Sequence, residues 1–284
     1  MTTFDIRIAD KRRTFRQLHE SGCFVIPNPW DIGSTRFLQG LGFKALATTS
    51  SGFAWSRGYP DNAISRDMAL AHLHEIVAAT DLPVNADFES GFAPDPAGVG
   101  ESVRLALETG IAGLSIEDST GDKAKPLFTI SEAVARIRAA RSAIDKAGGD
   151  ALLVGRAECF FVGQPNLEET VARLKAYAQA GADCLYAPGI RTREQIETVV
   201  AAVAPKPINL LVGSASQFTM EAIAALGVRR VSVGGALARS AWGGFMRAAE
   251  LLAEQGTFDG FADAASGNQL NAFFRNDMAS GRAA

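Results

Sequence analysis

Cysteine is scarce in this sequence. Cys23, Cys159 and Cys184 are the three cysteines among 284 residues, and no two of them form a Cys-x-x-Cys pair. An odd number at wide spacing argues against a disulfide framework and against a structural zinc site. We therefore expect three buried free thiols.

Long apolar runs and one-sided charge are missing as well. No stretch approaches the roughly 18 apolar residues that a membrane-spanning helix needs, and the N-terminus has no apolar core followed by a cleavage site. The formal net charge is −3, and the lysines and arginines are scattered, so neither a nucleic-acid surface nor a polybasic anchor is indicated. We expect a soluble, cytoplasmic protein with a small-molecule partner and no nucleic-acid or membrane partner.

Several catalytic arrangements also lack their residues. No Gly-x-Gly-x-x-Gly follows the first predicted strand, so a dinucleotide site is unsupported. A Schiff-base aldolase needs a lysine at a strand's carboxyl end, but most lysines precede strands or lie on helices: Lys11, Lys44, Lys146, Lys175 and Lys206. A histidine triad is unsupported because His19, which is expected at the surface, and His72 and His74 fall on predicted outer helices. A zinc helix is unsupported because His72 and His74 are two residues apart and point to different faces.

The sequence does contain a repeated strand–helix pattern. Several helix starts carry capping boxes, namely Thr129 with Glu132, Asn166 with Glu169 and Thr192 with Gln195. Eight apolar runs each precede a helical segment, near residues 23–27, 45–49, 83–87, 113–117, 151–157, 184–187, 207–212 and 230–233. This pattern predicts an α/β protein with a (β/α)8 TIM barrel. A doubly wound open sheet is the alternative, although it normally has fewer strands.

The two ends of the chain are predicted to be helical. Residues 5–20 have the spacing of an N-terminal helix that covers one end of the fold. We predict one barrel domain over residues 1–284, with 250–284 as a C-terminal helical extension. This tail is too apolar for a solvated end, so it must pack on the barrel or on a neighbouring subunit; its apolar residues are Phe258, Phe261, Leu270, Phe273 and Phe274.

Acidic side chains follow the third and fourth predicted strands. Asp87 and Glu89 follow one apolar run, and Glu117 and Asp118 end the next. The carboxyl ends of parallel barrel strands meet at one face, where barrel enzymes keep their catalytic residues. Carboxylate and amide oxygens suit Mg²⁺ or Mn²⁺. We predict a metal site whose candidate ligands are Asp87, Glu117, Asn85 and Glu89.

Other strand ends supply groups that could bind a substrate. Arg156 ends the fifth strand and could grip a carboxylate in bidentate fashion, which beside a metal describes a site for a 2-oxo or 2-hydroxy acid and its enolate. Asn209, at the seventh predicted strand, is a further candidate for substrate binding. The Ser119–Phe128 loop is a candidate lid, from which Lys123 or Lys125 would close over developing charge. Gly213-Ser214 and Gly234-Gly235 could cradle phosphate or simply let helices approach, and both interpretations stay open.

Five segments in order resemble the isocitrate lyase/phosphoenolpyruvate mutase superfamily over residues 20–250. They are Thr49-Ser-Ser-Gly52 with Gly58-Tyr-Pro-Asp61, Val84-Asn-Ala-Asp87 with Gly91-Phe92, Ile116-Glu-Asp118, Gly155-Arg156, and Tyr177-Ala-x-Ala-Gly-Ala-Asp183. The resemblance implies a (β/α)8 barrel whose last helix is exchanged between subunits, giving a homo-oligomer built as a dimer of helix-swapped dimers.

The resemblance also implies roles for particular residues. Asp87 and Glu117 match the residues that hold Mg²⁺ directly or through water, and Asp61 and Asn85 match supporting positions. Arg156 matches the arginine that grips the substrate. The backbone cradle for the substrate's carboxylate and 2-oxo group matches Ser51, Gly52 and Phe53.

Departures from the superfamily pattern narrow the expected activity. The lid has neither the Lys-Lys-Cys-Gly-His of the lyases, whose cysteine is the general acid, nor the asparagine of the phosphonate mutases. Asn85 replaces a usual aspartate, and Glu89 is an additional acid. We expect a Mg²⁺-dependent lyase that cleaves a carbon–carbon bond of an oxaloacetate- or methylisocitrate-like dicarboxylate. A phosphonate C–P mutase or hydrolase and a non-catalytic 2-oxo-acid-binding barrel are the alternatives.

Overall fold

A parallel sheet forms the centre of the molecule. The computed structural model describes residues 3–280 and places eight parallel strands in that range, in the order β1-β8-β7-β6-β5-β4-β3-β2. The strands are β1 (Phe24–Ile26), β2 (Leu46–Ala47), β3 (Val84–Asp87), β4 (Gly113–Glu117), β5 (Leu152–Arg156), β6 (Cys184–Tyr186), β7 (Ile208–Leu211) and β8 (Arg230–Ser232).

Helices surround this sheet and follow its strands along the chain. In order they are α1 (Thr3–Glu20), α2 (Ile32–Gly40), α3 (Ser50–Ser56), α4 (Arg66–Ala78), α5 (Pro96–Glu108), α6 (Ile130–Lys146), α7 (Leu167–Gln179), α8 (Arg193–Val203), α9 (Met220–Ala225), α10 (Ala236–Gln255) and α11 (Gly267–Ala279), with a short 3-10 helix at Asp259–Phe261. A strand followed by a helix, repeated around a parallel sheet, is the (β/α)8 barrel that the sequence predicted.

The barrel closes between its first two strands. A backbone hydrogen bond of 3.0 Å runs from Ala47 N–H to Pro27 O, beside the seven strand pairs of the sheet. The outward faces of the strands carry side chains such as Leu114, Leu153 and Leu185, which are buried under the helices in one large apolar cluster. Burial of this apolar area is the main force that holds the helices on the sheet.

Two of the three predicted capping boxes form, and the third helix start makes only one of the two bonds. Thr129 and Glu132 form a reciprocal capping box at the start of α6, and Thr192 and Gln195 do so at α8. Asn166 caps α7 by accepting from Glu169 N–H. These bonds satisfy backbone N–H groups that the first helical turn leaves without a partner.

Helix α1 covers the amino-terminal end of the barrel, as expected, but His19 is not a surface residue. It is buried between the rings of Phe15 and Phe24 and makes a 2.8 Å hydrogen bond to Phe15 O. The charged spacing of α1 predicted exposure for His19 because one residue of an amphipathic helix cannot be assigned to a face from charge alone. Arg136 of α6 is also buried, and it donates to backbone oxygens of residues 90, 93 and 94.

The C-terminal extension is helical, and α11 packs on α2 of the same chain. Phe273 lies 4.9 Å from Phe37 between ring centroids, and Arg36 forms an ion pair with Asp277 at 3.4 Å. Other apolar residues of α10 and the tail remain exposed. The three cysteines are free thiols, with Cys159 and Cys184 buried and Cys23 half-buried. Within residues 3–280, no helix combines the length and apolar character that crossing a bilayer requires.

Candidate active site

Asp87 ends β3 and is fixed from three directions. Its Oδ1 accepts from Arg156 Nη1 at 3.1 Å, and its Oδ2 accepts from the N–H and the hydroxyl of Ser50 at 3.0 and 2.8 Å. Its own N–H donates to Thr48 Oγ1 at 2.9 Å. Thr48 and Ser50 follow closely after β2, the strand that pairs with β3. The carboxylate is therefore held in one orientation before any ligand binds.

Arg156 ends β5 and joins the acids of the site. Its Nη1 lies 3.1 Å from both Asp87 Oδ1 and Glu117 Oε2, and its Nε donates to Glu158. The side chain is 12% exposed. Within residues 3–280 its Nη2 makes no hydrogen bond, so this nitrogen is available to a bound carboxylate.

Two aromatic rings and one buried acid complete the surroundings of Arg156. The guanidinium lies 5.0 Å from the ring of Tyr186 and 5.9 Å from that of Phe161. Burial raises the pKa of Glu158 to about 7, against the opposing effect of Arg156. The sequence assigned no role to Glu158, Tyr186 or Ser50. Glu158 could have been found, because it is an acid only two residues after Arg156.

The site carries more negative charge than Arg156 can neutralise. Burial raises the pKa of Glu117, and the nearby Glu158, Asp87 and Glu89 raise it further while Arg156 lowers it. Burial, Asp87 and Asp61 raise the pKa of Glu89 to about 8, and its buried Oε1 has no hydrogen-bond partner in the described residues. An unpartnered carboxylate oxygen among other acids is a place where a cation would be stabilised.

Asp61 and Glu89 approach the cluster from loops. Desolvation and the charge of Asp87 raise the pKa of Asp61, which lies exposed on the cavity wall. Glu89 has a φ of +45°, a left-handed conformation that is unfavourable for a residue with a side chain. Such strain persists only where the surrounding structure enforces it, and it is frequent at functional sites.

Asp118 is separated from the site although it is next to Glu117. Its Oδ2 accepts from Arg173 at 2.9 Å and from the Tyr177 hydroxyl, and its Oδ1 accepts from Glu158 N–H at 2.8 Å. Successive residues at a strand end point to opposite faces. Asp118 therefore connects β4 to α7 and belongs to the outer layer, although it is adjacent in sequence to the predicted ligand Glu117.

The predicted amide side chains lie deeper in the barrel. Asn85 is buried, and its Oδ1 accepts from Arg230 at 3.3 Å while its Nδ2 donates to Ala86 O. Asn209 is buried too, and it accepts from Arg230 Nε at 2.8 Å and donates to Ser232 Oγ at 2.9 Å. The two amides therefore surround Arg230, and neither makes a hydrogen bond to Asp87 or Glu117.

The predicted backbone cradle is only partly free. Gly52 N–H donates to Thr49 Oγ1 at 3.3 Å, and Phe53 N–H donates to Thr49 O at 3.0 Å. Ser51 N–H has no partner among residues 3–280, and Ser51 lies on the cavity wall. Phe53 is buried and stacks on His72 with ring centroids 3.8 Å apart. Ser51 is thus the residue of this group that can donate to a ligand.

The predicted lid lysines lie outside the cluster. Lys123 is exposed, and Lys125 is exposed and pairs with Glu132 at 3.3 Å. The loop is held at its base by an antiparallel bridge between Ser119 and Leu127. A catalytic contact by either lysine requires this loop to move, so their role stays a prediction.

A cavity of about 980 Å³ opens at the carboxyl ends of the strands. Asp87 and Arg156 lie on one side, and Ser214, Gly234 and Arg239 lie on the side of β7 and β8. Its volume is at the upper end of the range for small-molecule sites. The position agrees with the general location of barrel active sites.

Comparison with known proteins identifies the family. Residues 15–253 match the model of a family described as phosphoenolpyruvate phosphomutase. The chain belongs to this family. A candidate lyase/mutase of Burkholderia cenocepacia J2315 has a crystal structure with 46% identity and a TM-score of 0.91, with 95% of this chain and 98% of that chain covered.

Some relatives of this chain have names that state a lyase activity. The oxaloacetate decarboxylase of Paraburkholderia xenovorans (strain LB400) is 31% identical over 202 residues, which is 68% of this chain and 66% of that protein. The structure of oxaloacetate acetylhydrolase in complex with oxalate has 27% identity and a TM-score of 0.82, with 96% of this chain and 99% of that chain covered. The chain is therefore an enzyme of the phosphoenolpyruvate mutase/isocitrate lyase superfamily, and carbon–carbon lyase is the class that these relatives support.

The acidic residues of the site fit a hard divalent cation that keeps water molecules as some of its ligands. Among residues 3–280, no group of three or more acidic, histidine or cysteine side chains is arranged to hold a metal alone. Mg²⁺ usually keeps several waters and needs only one or two carboxylates. Asp87 and Glu117 supply these from either side of Arg156 Nη1, and the unpartnered oxygen of Glu89 adds negative charge once its carboxyl group is deprotonated.

Proposed function

We propose that the chain is a Mg²⁺-dependent lyase that cleaves a carbon–carbon bond of a small 2-oxo or 2-hydroxy dicarboxylate, with oxaloacetate decarboxylation as the best-supported example. The observation that carries this proposal is Arg156, held between Asp87 and Glu117 with its Nη2 free at the cavity. The relatives named oxaloacetate decarboxylase support the same substrate class.

Asp87 and Glu117 are the proposed holders of Mg²⁺, which Mn²⁺ could replace. When bound, the cation supplies Lewis-acid polarisation of the substrate's 2-oxo oxygen. Ser50 fixes Asp87 through two hydrogen bonds, so that Asp87 Oδ1 keeps its direction. Glu89 increases the negative charge of the cluster, which strengthens cation binding once its carboxyl group has lost its proton.

Arg156 is the proposed contact for the carboxylate next to the 2-oxo group. Its orientation is fixed by Glu158 on Nε and by the ring of Tyr186, so Nη2 points where no protein acceptor competes. Negative charge that develops on the 2-oxo oxygen during cleavage is stabilised by this guanidinium and by the free N–H of Ser51. The final proton comes from water or from a lid lysine, because the lid contains no cysteine.

The experiment is a turnover assay with purified protein and Mg²⁺ or Mn²⁺. Pyruvate is measured by a coupled dehydrogenase with oxaloacetate and with 2-methylisocitrate as substrates, and inorganic phosphate is measured with phosphonopyruvate. Divalent cations decarboxylate oxaloacetate slowly by themselves, so Arg156→Lys at the same metal concentration is the matched control. We expect this variant to lose about a hundredfold in kcat/KM, because a lysine cannot reproduce the fixed guanidinium.

Each other outcome assigns a different function. Phosphate release or rearrangement of a phosphonate, without pyruvate from dicarboxylates above the control, would replace the proposal by the phosphonate alternative, which the family description favours. Tight binding of oxalate without turnover of any substrate would indicate a binding protein. Equal rates for the wild type and Arg156→Lys would remove Arg156 from the mechanism.

A further inference from the structure

The interior of the barrel below the acidic cluster is open and polar. Barrel interiors are normally filled by bulky branched side chains. Here the cavity is lined at depth by small or polar residues, among them Ala47, Asn85, Ser115 and Ser232, and it reaches Arg230 at the start of β8. The space that large side chains would fill is therefore continuous with the active-site cavity.

Arg230 is a buried cation with neutral neighbours. It is 2% exposed, and it donates to Asn209 Oδ1 at 2.8 Å and to Asn85 Oδ1 at 3.3 Å. Its third contact is His19 Nε2 at 3.5 Å. His19 Nδ1 faces Phe15 O at 2.8 Å and must carry the ring proton there, so Nε2 is the acceptor of a neutral imidazole.

No carboxylate in the described part of the chain compensates this charge. Among residues 3–280, Arg230 takes part in no ion pair, whereas Arg156 and Arg173 each meet at least two acids. Arginine does not lose its proton in proteins. A buried guanidinium without a counter-charge is unfavourable, and buried charges are normally paired. Its Nη2 makes no hydrogen bond within the described residues, so it retains donors for a ligand.

Ser232 provides a second donor beside Arg230. It lines the cavity, and its Oγ accepts from Asn209 Nδ2 at 2.9 Å. Because that oxygen already accepts, its own hydrogen is left to donate, either to the neighbouring Tyr186 hydroxyl or to an anion that takes its place. A guanidinium and a hydroxyl facing the same enclosed space are suited to an anion.

We propose that Arg230 and Ser232 form an anion-binding subsite at the floor of the cavity, distinct from the carboxylate contact at Arg156, which takes a small monoanion. That monoanion is either a free halide-sized ion or the terminal carboxylate of a dicarboxylate that extends into the barrel. The subsite itself does not depend on the proposed function. Its occupation by a substrate carboxylate does, and the experiments separate the two.

The first experiment locates the anion with bromide. Crystals of the wild type soaked in sodium bromide should give an anomalous peak in contact with Arg230, and Arg230→Met should lose it. In solution, bromide should raise Tm relative to gluconate at equal ionic strength. Absence of both the peak and the Tm effect in the wild type would overturn the proposal, because water alone would then solvate the guanidinium.

A second variant guards against misfolding of Arg230→Met. Asn209→Asp places a carboxylate where Arg230 Nε now donates at 2.8 Å. This internal counter-charge should preserve folding, raise Tm and abolish the bromide effect. A bromide response in Asn209→Asp equal to that of the wild type would contradict the assignment of the site to Arg230.

Competition distinguishes the two sources of the anion. Oxalate is too short to extend far from Arg156, whereas succinate and glutarate are longer. If the site takes a substrate carboxylate, the longer acids displace bromide and bind at least about tenfold more weakly to Arg230→Met, while oxalate affinity is unchanged. If bromide persists beside all three acids, the subsite holds a free anion. These binding readouts stand even if no turnover of any dicarboxylate is found.

Discussion

Ser50 illustrates how a small side chain can control a site by fixing another residue. It makes both hydrogen bonds to Asp87 Oδ2, whereas Ser56, in the same helix, bonds only to Phe53 O. We expect Ser50→Ala to weaken Mn²⁺ binding about tenfold, because a ligand that has lost its orienting partner binds metal less well. Calorimetric titration measures this, with Ser56→Ala as the control. Equal affinity in the two variants would show that Asp87 needs no such support.

Glu89 should make stability depend on pH in the absence of metal. Its pKa is raised to about 8 by burial, Asp87 and Asp61, against the lowering effect of Arg156. A raised carboxyl pKa means that the folded state keeps a proton that the unfolded state releases above its ordinary pKa of 4.5. Stability is therefore lost as pH rises from about 4.5 to 8, and not below that window.

The variant Glu89→Gln should remove this loss. At pH 9 with a chelator it should be about 2 kcal/mol more stable than the wild type, since each pKa unit corresponds to about 1.4 kcal/mol and partial exposure screens part of the shift. At pH 4 the two should be equal. Thermal unfolding across this range measures the difference, and saturating Mg²⁺ should reduce it because a cation neutralises the wild-type site. If the two proteins differed in stability by the same amount at all pH values, the effect would come from packing and not from the proton.

At the scale of elements, Asp118 fastens α7 to the end of β4. The carboxylate is buried and depends on Arg173, Tyr177 and the N–H of Glu158. Tyr177→Phe removes one bond to a buried charge and should cost about 2 kcal/mol in the free energy of unfolding. Urea denaturation measures it, with the exposed Tyr59→Phe as the control. Equal stability of the two variants would mean that Arg173 alone satisfies Asp118.

The strands were predictable and the contacts between them were not. Each strand lies within one of the apolar runs of the sequence, because its outward face is buried under the helices, although inward positions such as Asn85, Ser115 and Ser232 are polar. The convergence of Asp87, Glu117 and Arg156 followed from their places at strand ends. By contrast, the outward turn of Asp118 and the neutral surroundings of Arg230 depend on which face a side chain takes and on residues distant in the chain. A single sequence does not encode these in a local pattern.

At the scale of the whole molecule, the C-terminal part presents an apolar surface that the described residues leave exposed. We call it the tail face, and in a single chain its residues are exposed: Trp242, Phe245, Met246, Phe258 and Phe261. Phe245 is 62% and Phe258 69% exposed. Trp242 contacts Phe245 and Phe258 contacts Phe261, and exposed apolar residues grouped in this way mark interaction sites rather than ordinary surface. Together with the superfamily resemblance, they support the prediction that α10 and the tail pack against a second copy of the chain.

Charge on the tail face should therefore dissociate the predicted oligomer. Phe245→Glu would place a carboxylate in an apolar interface, where an unpaired charge is strongly unfavourable, so a lower mass by light scattering is expected. Leu41→Glu is the matched control, because Leu41 is 60% exposed and lies outside the tail face, at the end of α2. If the wild type is monomeric, or if Phe245→Glu keeps the wild-type mass, the tail face is not the interface. If both variants dissociate, the interface extends to α2, where α11 already packs through Phe273.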